Sequence, residues 1–296
     1  MKISVAAVPY YWSTEKYKHF YKALAETSVD IVYIGETICS KRRSMKLNDW
    51  LEIATMLSEA GKEVVLSTLT LLEADSELSV LTKISKQQNY LIEANDMAAI
   101  QIASQNNNNF VAGCAINIYN NRSLKLFNKI GMSRWSIPVE LGKEDLLAMI
   151  STAKSQGIEL EYQVFGRLPL AYSARCFTAR HHQLPKDNCQ FKCLEDEQGM
   201  LVKTQEDEIF SQINGIQIQS AKVNNLYDYL NDIEDLGIDI LRLVPLGHED
   251  TLEAVRQFSK TIRDKMSLPF DEQLLQEEYE FCNGYYFQLA GMVNSH

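Results

Sequence analysis

Four cysteines stand where thiolate chemistry can be built. Cys176, Cys189 and Cys193 share one irregular segment with the spacing C-x12-C-x3-C, and Cys39 lies far upstream in Gly35-Glu36-Thr37-Ile38-Cys39. Four thiolates suit either an iron–sulfur cluster or a structural zinc ion. Zinc sites usually use paired C-x2–4-C knuckles, and here only Cys189 and Cys193 have that spacing. A cluster is larger than one ion and more readily accepts ligands gathered from separate loops. Spacing alone leaves three readings open: a cluster, zinc, or unligated thiols. Buried free cysteine behaves as a small apolar residue, which suits Cys114, placed in an apolar run that reads as a strand. Cys282, followed by Gly284, Tyr285 and Tyr286, also reads as packing.

A second group of residues is fit to bind a polar substrate or move protons. Glu36, Glu93 and Glu140 end three separate strand-like runs and should face the mouth of a barrel, and Asn117 and Arg242 are placed in the same way. They are equally able to form a rim of ion pairs. Arg42, Arg43 and Arg175 flank the cysteines. There a guanidinium offsets the negative charge of a thiolate-ligated group, holds a carboxylate with two parallel hydrogen bonds, or simply faces solvent. Tyr172 precedes Cys176 by one helical turn and is a pocket or packing residue. Tyr10, Tyr11 and Trp12 end the first apolar run and read as core, interface or a shield over an apolar substrate. The five histidines, His19, His181, His182, His248 and His296, sit in no nucleophile motif. Adjacent His181 and His182 rarely converge on one ion and read as a solvated pair. No catalytic residue is assigned.

Apolar runs of strand length occur at Ile3–Val8, Ile31–Ile34, Val64–Leu69, Leu91–Glu93, Phe110–Ala115, Arg134–Pro138, Leu160–Phe165 and Ile238–Val244. Segments with helical spacing lie between them; Ser13 is placed to cap the first and Gly61 to end the second. Strands alternating with helices predict an α/β fold, a (β/α)8 TIM-barrel-like domain over residues 1–296. No G-x-G-x-x-G follows the first strand, so a dinucleotide-binding doubly wound sheet has no support. The alternation breaks over residues 166–219, an insertion after the seventh strand that carries three cysteines, with a small hairpin expected at Leu201–Lys203 and Ile209–Ile213. Residues just past barrel strands gather on one rim, so Cys39 can meet the other three there.

The chain has 296 residues, 46% hydrophobic and 23% charged, with a formal net charge of -10. That acidity argues against nucleic-acid binding, which needs a basic face. No apolar run reaches about 18 residues, so no transmembrane helix is expected. Met1 to Tyr10 reads as a strand and not as a signal peptide. A cytoplasmic location follows as an expectation, and there thiols stay reduced and available for ligation.

The segment Glu161-Tyr162-Gln163-Val164-Phe165-Gly166-Arg167-Leu168-Pro169-Leu170-Ala171-Tyr172-Ser173-Ala174-Arg175-Cys176 resembles the signature of the U32 "peptidase" family. Further stretches that support the resemblance are Tyr33–Arg43, Leu66–Leu69, Phe110–Gly113, Pro138–Leu141, Cys176–Arg180 and Asn214–Gln217, which span nearly the whole chain. Over the whole chain it resembles the U32-type proteins of oxygen-independent ubiquinone biosynthesis. The resemblance implies a [4Fe–4S] cluster held by Cys39, Cys176, Cys189 and Cys193, and a heterodimer with a sister subunit, UbiU. It implies a share in hydroxylating the aromatic ubiquinone precursor without O2, with prephenate as a possible oxygen donor. RNA-base hydroxylation by U32-type enzymes and a zinc-stabilised, non-catalytic binding module are the alternatives. Peptide hydrolysis is not expected, because it needs an activated nucleophile or metal-bound water.

Overall fold

The computed structural model describes residues 1–264 and 269–295. The first half runs β1 (Lys2–Val5), α1 (Thr14–Ala25), β2 (Ile31–Ile34), α2 (Leu47–Glu59), β3 (Glu63–Ser67), α3 (Asp75–Ser85), β4 (Leu91–Ala94), α4 (Met97–Gln105) and β5 (Phe110–Ala112). Then come α5 (Asn121–Lys129), β6 (Met132–Ser136), α6 (Lys143–Ser155), β7 (Glu159–Tyr172), α7 (Phe177–His181), β8 (Met200–Lys203), β9 (Ile209–Asn214) and β10 (Gln217–Asn225). The chain continues with α8 (Leu230–Asp235), β11 (Ile240–Leu243), α9 (His248–Asp264) and β12 (Phe281–Cys282).

Local sequence accounts for the shell. The Ser13 hydroxyl accepts from the Lys16 N–H at 3.2 Å and starts α1, which buries Tyr17, Phe20, Tyr21 and Leu24. The same i, i+3, i+4, i+7 spacing places Trp50, Ile53, Ala54 and Leu57 of α2 inward. Each large apolar side chain so buried contributes about 1.5–3 kcal/mol. Strand β2, Ile31-Val32-Tyr33-Ile34, is buried throughout because one face meets helices and the other the barrel interior.

Strands β1 to β7 pair in order, all parallel, and β11 closes the ring by pairing with both β1 and β7. The result is the expected (β/α)8 barrel, and each of the eight apolar runs falls on one of its strands. Its interior is only partly apolar: Ile31, Tyr33, Val65, Val111 and Ile240 share it with buried charge. Glu161 accepts from Ser4 Oγ at 2.6 Å, Tyr33 Oη at 2.8 Å and Arg242 at 3.0 Å. Arg242 also pairs with Glu93 at 2.6 Å, and Glu93 accepts from Ser67 Oγ at 2.6 Å. At the opposite end Arg134 joins Glu63 and Glu159, both at 2.7 Å.

The break in the pattern has a structural cause. Strand β7 does not stop at the barrel rim. Phe165 still faces Leu243 of β11, but it also faces Asn225 of β10, and from there β7 runs antiparallel to β10 as far as Tyr172 opposite Gln217. Gly166 is the pivot. Its φ is +107°, and a Cβ there would lie 2.4 Å from the Val244 carbonyl oxygen, so only glycine lets the strand change partners. The hairpin of β8 and β9 forms as expected and extends this antiparallel sheet. The inserted sheet outlasts the expected boundary at residue 219, because β10 continues to Asn225. Polar residues interrupt its apolar pattern, which hides it in the sequence. Cys114 is not inside a strand: β5 ends at Ala112, and Cys114 begins a 3-10 turn, Cys114–Ile116, at the barrel mouth. Cys282 is fully buried in β12, which pairs with β10, as the packing reading expects. Met266 and His296 lie outside the described residues.

Candidate functional site

The four singled-out cysteines come from three places in the chain and line one pocket, together with Arg42, Thr178 and Gly215. Cys39 sits in the loop after β2. The Glu36 carboxylate fixes that loop by accepting from the Ile38 and Cys39 N–H groups at 2.9 and 3.1 Å. Cys176 caps α7, its sulfur accepting from the Ala179 N–H at 3.4 Å. Cys189 follows the 3-10 turn Lys186–Asn188, and Cys193 lies in the 3-10 turn Lys192–Leu194. Among the described residues no three of His, Cys, Asp or Glu converge closely enough to grip a single ion.

Arg42 ties the barrel to the inserted sheet beside these thiols. It is 5% exposed, donates to the Pro9 carbonyl and to Asn214 Oδ1 at 2.7 Å each, and stands 3.7 Å from Glu36. Its Nε is buried with no acceptor among the described residues, a state that costs about 1–3 kcal/mol unless a group takes the hydrogen bond. Asn214 donates to the same Pro9 carbonyl at 2.7 Å. The adjacent Gly215 N–H donates to Thr178 Oγ1 at 3.0 Å, and Gly215 O accepts from the Phe177 N–H at 2.8 Å. The turn between β9 and β10 thereby fixes Cys176 relative to Cys39. Burial pushes the Cys39 and Cys193 thiols up, and the Arg42 guanidinium opposes it in both. Trp12 Nε1 donates to the Glu197 carbonyl at 3.0 Å, and Tyr11 lies 6.1 Å from the Phe191 ring. Tyr10, Tyr11 and Trp12 are buried, so their role is core packing and support of the cysteine segment.

A second polar region lies at the barrel mouth. Glu93, Arg242, Cys114 and Tyr172 line it with Gln163 and Arg167. Tyr172 Oη accepts from Gln217 Nε2 at 3.1 Å. An adjoining cavity of about 380 Å3 is lined by Cys114, Asn117, Glu140 and Tyr172 among others. Asn117 adopts the left-handed conformation, and the exposed Glu140 accepts from Tyr119 Oη at 3.1 Å. Burial pushes the Cys114 thiol up to about 11, against the pull of Arg242.

Three of the singled-out residues lie outside the cysteine pocket. Glu36 does not face the mouth; it caps its own loop, pairs with Arg42, and borders a cavity between α2 and α3. Arg175 is exposed, its backbone N–H bonded to Ser173 Oγ at 3.2 Å, and it does not share the cysteine pocket. Arg43 is exposed too and borders the outer side of the cysteine segment. His181 and His182 stack 5.1 Å apart at the end of α7. The sequence reading missed Glu161, Arg167 and Asn214. A charged residue inside an apolar strand was the signal for Glu161, and the Asn-Gly turn dipeptide was the signal for Asn214.

No helix among the described residues is long and apolar enough to cross a membrane. The sequence profile of peptidase family U32 matches residues 15–289. Solved structures that match include the U32 peptidase Mk0906, at 11% identity over 83% of this chain and 94% of that one, with a TM-score of 0.47. Thiamine phosphate pyrophosphorylase from Pyrococcus furiosus matches at 10% identity over 90% and 97%, TM-score 0.45. Orotidine 5'-monophosphate decarboxylase from Methanocaldococcus jannaschii matches at 9% over 90% and 99%, TM-score 0.42.

Proposed function

The chain belongs to peptidase family U32, and on that premise we propose that it is the iron–sulfur subunit, of the UbiV type, of an O2-independent hydroxylase in ubiquinone biosynthesis. Its partner in this reading is a UbiU-like sister subunit, and its substrate is the aromatic ring precursor. The observation that carries the proposal is the meeting of Cys39, Cys176, Cys189 and Cys193 on one pocket. Four thiols brought from separate loops to one pocket suit a group of several metal atoms, which accepts ligands from different directions. The unpartnered Nε of Arg42 supports the same choice, since a thiolate-ligated cluster carries negative charge and accepts hydrogen bonds. When bound, a [4Fe–4S] cluster supplies one-electron transfer. This chain's own residues hold it through the four thiolates, offset its charge with Arg42, and lock the loops around it through Asn214 and Thr178.

The barrel mouth is the proposed substrate side. Tyr172, Asn117 and the unpartnered Nε of Arg167 offer donors to a polar or carboxylate-bearing ligand such as prephenate, the proposed oxygen donor. Hydrolysis of peptides is outside the proposal. A nucleophilic thiol needs a lowered pKa and an adjacent base, whereas Cys114 is pushed the other way and its neighbours Glu93 and Arg242 are bound to each other.

Anaerobic purification with iron and acid-labile sulfide assays tests the cluster. Roughly four irons and four sulfides per chain are expected, with equal losses in Cys39→Ala and Cys193→Ala. Stoichiometric zinc without sulfide, or iron retained in Cys39→Ala, would overturn it. The pathway is tested separately by quinone and modified-nucleoside content of an anaerobically grown deletion strain. Loss of a modified base with normal quinone would favour RNA-base hydroxylation.

A further inference from the structure

The helical shell is not evenly packed. The strongest helix–helix contacts are α1–α2, α3–α4 and α5–α6, with α1–α9 weaker. Between α2 and α3, over the ends of β2 and β3, lies a cavity of about 490 Å3. Met45, Trp50, Leu72, Val80, Leu81 and Ile84 give it apolar walls. Val80, Leu81 and Ile84 follow helical spacing and form one apolar face of α3, yet only Leu81 is buried and Val80 is 50% exposed. The size and the apolar walls are those of a small-molecule site.

The polar part of the lining carries both signs, Arg42, Arg43 and Lys46 with Glu36 and Glu77. Arg42 is paired with Glu36, and Glu77 accepts from the Ser40 hydroxyl. The Arg43 and Lys46 side chains form no ion pair among the described residues, although the Lys46 backbone N–H donates to the Asp49 carboxylate at 2.8 Å. Arg42 forms part of the wall of both this cavity and the cysteine pocket, and Arg43 also borders the cysteine segment beside Asp187 and Cys189. An apolar chamber bordered by two cations without ion-pair partners is complementary to an amphiphile with one hydrocarbon chain and an acidic head.

We propose that the cavity between α2 and α3 binds the hydrocarbon chain of such an amphiphile, with its head at Arg43 and Lys46 next to the thiols. Presentation of the head to the cysteine pocket rests on the proposed function; chain binding does not. Burial of the chain supplies the affinity, and the two cations set its direction.

The test uses the purified full chain with two carboxylate probes below their micelle concentrations, palmitate for a linear acyl chain and geranylgeranoate for an isoprenoid one. Both are titrated by calorimetry and by the fluorescence of Trp50. Saturable binding is expected, with a fluorescence change that Trp50→Phe removes while the heat persists. Val80→Trp fills the chamber from a half-exposed position and should weaken binding about tenfold or more at an unchanged unfolding midpoint. Arg43→Gln with Lys46→Gln should weaken it several-fold and flatten its salt dependence. Binding of palmitate only, geranylgeranoate only, or both upholds the site and identifies the chain it accepts. No saturable binding to folded protein, or wild-type affinity in Val80→Trp, would overturn it. Iron content is read in parallel, so a protein that binds the chain but carries no cluster fails the functional proposal alone.

Discussion

Arg42 is the residue on which the cysteine pocket depends most. It is buried, spends its terminal nitrogens on Pro9 and Asn214, and leaves Nε without an acceptor among the described residues. Arg42→Gln removes the link between the loop after β2 and the turn after β9. We expect it to lower iron content with little change in the far-ultraviolet circular dichroism. The loss should exceed that in Arg175→Gln, because Arg175 is exposed and bound only through its backbone. Cys114 provides a contrast. Burial raises its pKa to about 11, so the thiol form persists above the range where an ordinary cysteine has ionised. Its alkylation by iodoacetamide in the native protein should stay slow at pH 9 and accelerate only as the pH nears 11, read by peptide mass mapping. Fast labelling at pH 8 would contradict that environment.

Strand β7 shows how one element serves two structures. Its first half is a barrel strand and its second half belongs to the antiparallel sheet that carries the cysteines. Gly166→Ala at the pivot should cost about 2 kcal/mol or more, given the left-handed φ and the Val244 carbonyl at 2.4 Å. Urea unfolding checks this, and an unchanged midpoint would remove the pivot role. The barrel strands were legible in the sequence because each is a short, nearly continuous apolar run between helical patterns. Strand β10 was not, since Gln217, Gln219, Lys222 and Asn224 alternate irregularly around two register shifts. The meeting of Cys39 with the insertion was legible from topology alone, since both follow the carboxyl ends of barrel strands. The outward turn of Glu36 was not, because it depends on hydrogen bonds to its own loop.

The molecule as a whole is a closed ring with charge inside it. Glu161 anchors that interior by holding Ser4, Tyr33 and Arg242 at once. Glu161→Gln leaves Arg242 with one carboxylate in place of two and should destabilise the barrel by about 3 kcal/mol, at the lower end for a broken buried pair. A thermal midpoint within a degree of wild type would show that the network carries no such weight. Closure also imposes an order in time. Strand β1 is the first barrel strand made and pairs with β11, the last of the eight. Cys39 likewise emerges from the ribosome five barrel strands before the cysteines it must join. A nascent chain therefore holds Cys39 without the other three thiols, and an unclosed sheet, until these later segments are made. Under the proposed function, loading of the cluster would begin only after Cys193 has been made.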